Sequence, residues 1–130
     1  MNGEGGEGTV RTFLILASLL GFAAVAIGAF AAHLLKERLT PDLFAVFEVG
    51  VRYHMYHALA LFVVAWAATQ YPQVDFSPSG WFFIAGILLF SGSLYCMSLT
   101  GALWLGAITP LGGVSFLLGW GWLVWKFWNA

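Results

Sequence analysis

"YHMYHALALFVVAWAATQ", Tyr53–Gln70, decides how this chain folds. Its second half is an apolar run, and its first half holds His54 and His57 three residues apart among tyrosines. If it crosses a membrane, the chain has four spans. It is shorter than its neighbours in the sequence, but longer than most buried helices of soluble proteins. The spacing predicts a membrane helix.

Just upstream, Thr40-Pro41-Asp42 combines an N-cap residue, a proline suited to the first helical position and an acid that favours the positive end of the helix dipole. This second helix is therefore expected over 41–70. Its opening part mixes Leu43, Phe44, Val46, Phe47 and Val51 with Asp42 and Glu48, which predicts an amphipathic interfacial extension. Glu48 and Arg52 stand four apart with the acid first, the favourable order for a helical ion pair. At about 100° per residue, His54 and His57 project from the opposite side.

Further out lie three longer apolar runs, 13–35, 80–99 and 103–125, each above the roughly 18 residues that a spanning helix needs. Across all 130 residues, 61% are hydrophobic and only 8% charged, far below the quarter or so usual in soluble domains. The fold class is thus an all-α integral membrane protein: four transmembrane helices in an antiparallel bundle, with helices at about 11–38, 41–70, 79–99 and 103–127. Residues 1–10, rich in glycine and glutamate, are expected to be a flexible tail, and 11–128 the single transmembrane domain. The acidic start and the long first run argue against cleavage after Ala29-Phe30-Ala31. Thr109-Pro110, followed by Gly112 and Gly113, predicts a kink early in the fourth helix.

With four spans, helix one ends, helix two begins, helix three ends and helix four begins on one side of the membrane. That places His33, His57, Ser91, Ser93, Tyr95 and Thr109 in one leaflet, a candidate polar site. Such residues serve equally as hydrogen-bond glue between helices, at about 0.6 kcal/mol per pair on average. Ala24, Gly28 and Ala32 have the small-xxx-small spacing of a close helix contact, and Gly92, Gly112 and Gly113 are further packing candidates. Tyr71, Trp81, Trp122, Trp125 and Trp128 form an aromatic belt on the side of the termini. Three basic residues, Lys36, Arg38 and Arg52, face two, Arg11 and Lys126, so the first connection is expected in the cytoplasm.

Several function classes are disfavoured. Net charge of -1 does not suit nucleic acid. Cys96 stands alone in an apolar helix and reads as a packing residue. A tetrahedral metal site wants more ligands than an i, i+3 histidine pair provides, so no metal and no cofactor is expected.

Four motifs, "GAFAAHLL" (28–35), "FEVGVRYHMYHALAL" (47–61), "LFSGSLY" (89–95) and "TPLGG" (109–113), together resemble a small membrane family catalogued as domain of unknown function 423, whose animal member is called transmembrane protein 256. The resemblance covers about 13–125. It implies a four-span fold, a bacterial inner (plasma) membrane location and no established activity. Its motif positions here include Gly28, His33, Gly50, Tyr53, Tyr56, His57, Ser91, Gly92, Ser93, Tyr95, Thr109, Pro110 and Gly113, whereas His54 stands where the family more often has glutamine.

The expected function is that of a non-enzymatic accessory subunit or homo-oligomer, with the lipid bilayer and other membrane helices as partners. The rival expectation is a transporter or channel for a small solute, ion or proton, lined by His33, His57, Ser91, Ser93 and Thr109.

Overall fold

A computed structural model describes residues 3–130. The chain is all helical, and the helices follow one another in the order read from the sequence. Helix one runs as an α-helix over Gly3–Val25, widens into a π-helical stretch over Ala26–Ala31, and closes with Ala32–Leu35. Helix two is Pro41–Gln70. Helix three comprises Ser77–Gly86, a second π-helical stretch Ile87–Ser91, and Gly92–Thr100. A 3₁₀ segment, Leu103–Ala107, leads into helix four, Thr109–Trp128.

Three of these, Glu4–Leu35, Ser77–Thr100 and Leu103–Trp128, are long and apolar enough to cross a membrane. Helix two is not among them. Its tyrosines and histidines lower its hydropathy. It packs along helix one on one side and along helix three on another, and helices three and four lie side by side.

The boundaries correct the sequence reading in three places. Helix one starts at Gly3, not near residue 11: Glu4 occupies the first turn, where a carboxylate is favoured, and the Thr9 and Thr12 hydroxyls bond back to the carbonyls of Gly5 and Gly8 at 3.0 and 2.8 Å. The expected kink at Thr109-Pro110 is instead the start of the α-helix. Pro110 lies in the first turn, where its missing N–H costs nothing. Neither π-helical stretch was foreseen. Helix two, by contrast, starts as its sequence dictates, with the Thr40 hydroxyl accepting from the Leu43 N–H at 3.3 Å.

The core is built from Phe13, Leu61, Val64, Phe76, Phe83, Phe116 and Leu123, with Ala17, Ala60, Ala65 and Ala67 where the helices come close. Outward, the surface is strongly apolar: Phe22 is 78% exposed, Leu103 73% and Trp128 86%. A water-facing protein rarely presents such a surface, and lipid solvates it.

Candidate functional site

Gly50 begins the site. Without a Cβ it lets Tyr95 of helix three lie against helix two; a methyl there would sit 2.9 Å from the Tyr95 ring and 3.3 Å from Leu94 Cβ. Next to it the fully buried Ser91 hydroxyl donates to the Gly50 carbonyl at 2.7 Å. One turn on, His54 Nδ1 meets the Tyr95 hydroxyl at 2.9 Å. His54 is buried, and its Nε2 has no hydrogen-bond partner. Phe47 completes the layer, its ring 5.4 Å from that of Tyr95.

His57 lies a further turn into the bundle. Its Nε2 accepts from the Trp120 indole N–H of helix four at 3.1 Å, and its Nδ1 faces the Tyr53 carbonyl at 2.8 Å. An indole nitrogen only donates and a carbonyl only accepts. The imidazole is therefore the neutral tautomer with its hydrogen on Nδ1. Both ring nitrogens are used, and a second proton would have to displace Trp120. The ring also stacks on Phe116, with centroids 3.5 Å apart and planes 8° apart. This is a clamped side chain, ill suited to relaying a proton.

Serines hold helices three and four together along their length. Ser93 and Thr109 share a hydrogen bond at 2.6 Å, and Ser93 also donates to the Phe90 carbonyl. Ser115 donates to the Phe82 carbonyl and Ser79 to the Gly119 carbonyl, both at 2.7 Å. Between these bonds, glycines seat aromatic knobs: Phe116 lies on Gly86, Phe83 on Gly119, Phe13 on Gly80, and the Phe90 backbone on Gly112. Small residues permit the approach and hydroxyls fasten it.

Of the sequence candidates, Ser91, Ser93, Tyr95, Thr109 and His57 all take part in hydrogen bonds that cross between helices. His33 does not join them. It is exposed, on the short α-helical turn that follows the π-helical stretch of helix one. The polar contacts are not confined to one half either, since Ser79 and Ser115 carry them towards the termini. Glu48 and Arg52 are both exposed, and no salt bridge joins them among the described residues. A solvated pair at this spacing gains only about 0.3–0.5 kcal/mol, too little to hold two long side chains.

Among the packing candidates, Ala24 is buried, Ala32 is half-buried, and a methyl on Gly28 would meet Val51 at 2.7 Å. Gly112 is a close contact, whereas Gly113 and Gly92 are loose ones, a methyl on either meeting one atom at 4.0 Å. Both of the latter face outward because the tight line between helices three and four runs through Gly86 and Gly112. Sequence reasoning missed Trp120 as a partner of His57, and the knob-seating Gly80, Gly86 and Gly119. For Gly86 the seven-residue steps to Ser79 and Ser93, and for Gly119 the steps of four to Ser115 and seven to Gly112, were the available signal; Gly80 has none.

The family described as "Protein of unknown function (DUF423)" matches residues 27–113, the part that contains the layered site except Phe13, Ser115, Phe116, Gly119 and Trp120. The chain is 47% identical over 112 residues to the UPF0382 membrane protein YwdK of Bacillus subtilis, covering 85% of this chain and 91% of that one. It is 41% identical over 111 residues to a UPF0382 membrane protein of Staphylococcus epidermidis, covering 85% and 90%. It is 40% identical over 112 residues to the UPF0382 inner membrane protein YgdD of Escherichia coli K12, covering 86% of each. No solved structure matches the chain.

Proposed function

This chain belongs to the DUF423 family of UPF0382 membrane proteins, and from that premise we propose that it is a non-enzymatic helix-docking protein, an accessory subunit or homo-oligomer of the membrane. It is an integral membrane protein, and relatives such as YgdD indicate the bacterial inner (plasma) membrane. In the proposed arrangement all four helices span, consecutive ones antiparallel, with helix two as the hub.

One observation carries the reading: apart from His54 Nε2, the inward polar side chains find their hydrogen-bond partners inside the bundle. His57, Ser79, Ser91, Ser93, Thr109 and Ser115 all hold partners within the bundle. A solute pathway needs polar groups with bonding capacity left over, whereas a scaffold needs them satisfied. The outer faces, rich in exposed leucine, phenylalanine and tryptophan, are what remains for lipid and for other helices.

Affinity purification of the tagged full chain from native membranes in mild detergent tests this. Stoichiometric co-purification of another membrane subunit, or of an untagged second copy, is expected. A transport reading finds its support in His54, whose buried Nε2 has no hydrogen-bond partner. Ion or solute flux in proteoliposomes that is abolished by His54→Leu and by His57→Ala would replace the docking reading with that one.

A further inference from the structure

At the end of the molecule where helix one begins, helix two ends and helix three begins, a groove of about 670 Å³ opens between the start of helix one and the connection from helix two to helix three. Its mouth carries Glu7, Arg11 and Asp75, and its floor is made by Leu14, Val74 and Phe76. Arg11 forms no salt bridge among the described residues, although two carboxylates line the same groove. The groove lies at interfacial depth. The Trp122 indole N–H donates to the Asp75 carbonyl at 3.1 Å, and the Lys126 ammonium sits over the rings of Trp122 and Trp125. Aromatic and basic residues of this kind gather at the level of lipid headgroups.

We propose that this groove is a binding site for a zwitterionic phospholipid whose headgroup carries a phosphate and a primary ammonium. Arg11 presents a planar fork of donors suited to phosphate oxygens. Glu7 and Asp75 present acceptors for an ammonium; one Asp75 oxygen already caps helix three through the Ser77 N–H at 2.9 Å, which leaves the other for the ligand. Two acids against one base disfavour a purely anionic headgroup. The apolar floor receives the first carbons of an acyl chain and selects a membrane lipid over a free phosphoamine. This site is independent of the docking role and would exist in a lone monomer.

The test is native mass spectrometry of the detergent-purified full chain after addition of equimolar palmitoyl-oleoyl phosphatidylethanolamine and phosphatidylglycerol. Wild type is expected to retain the ethanolamine lipid preferentially. Arg11→Gln should lower that occupancy about tenfold, the loss of one charge-assisted contact. Glu7→Gln, at an exposed position near the start of helix one where it does not threaten folding, should shift the preference towards the glycerol lipid. Circular dichroism confirms that each variant keeps its helices. Equal retention of both lipids by wild type, preference for the glycerol lipid, or unchanged occupancy in folded Arg11→Gln would overturn the assignment.

Discussion

His57 was the residue singled out in the sequence, and its surroundings turn a candidate ligand into a fastener. The indole of Trp120 and the carbonyl of Tyr53 occupy its two nitrogens, and Phe116 covers one face of its ring. Trp120→Phe therefore strands a buried acceptor and should destabilise the protein by about 1 kcal/mol, within the ceiling of about 1.7 measured for hydrogen bonds between membrane helices. Unfolding by SDS titration, followed by circular dichroism, gives the value. Removing both partners, in His57→Phe with Trp120→Phe, should cost less than the two single changes summed, because no polar group is left unpaired. The importance of His57 was legible, since an ionisable residue inside an apolar helix needs a partner. The identity of that partner was not: tryptophans near the end of an apolar helix read as interfacial, and only the packing of helix four brings the indole N–H of the exposed Trp120 to His57.

Between elements, the contacts divide by how near two backbones come. Phe90 presses its backbone on Gly112, while a methyl on Gly92 would meet nothing closer than the Ile87 carbonyl at 4.0 Å. Gly112→Ala should cost about 1–3 kcal/mol as an overpacked contact. Gly92→Ala should be neutral or gain up to about 1 kcal/mol from the lost flexibility of glycine in a helix. The same SDS titration compares the two, and a Gly92→Ala loss equal to that of Gly112→Ala would contradict the packing described here. The start of helix two was readable because capping is local: Thr40, Pro41 and Asp42 act within one turn. The π-helical stretches at Ala26–Ala31 and Ile87–Ser91 were not, because they belong to the fit between helices, as where Ser91 reaches the Gly50 carbonyl. Chain order gave the sequence of helices; register between them, on which the glycine seats depend, is a tertiary property.

For the whole molecule, composition alone pointed to the membrane, and three apolar helices bear that out. Helix two escaped the simple criterion because Tyr53, His54, Tyr56 and His57 fall within its apolar run. If it spans as proposed, cysteines placed at the two ends of the chain should react with a membrane-impermeant maleimide from the same side, and one placed at Glu37 from the other. Labelling of the two ends from opposite sides would mean an odd number of spans. In the proposed role this bundle closes on itself and works through its outer faces. Native mass spectrometry of the tagged chain, released from its own membranes in the mildest detergent that extracts it, tests this most directly. A mass above that of one chain, made up by a second protein subunit or further copies, is the predicted result; a single chain carrying at most lipid, with no protein partner at any detergent concentration, would contradict it.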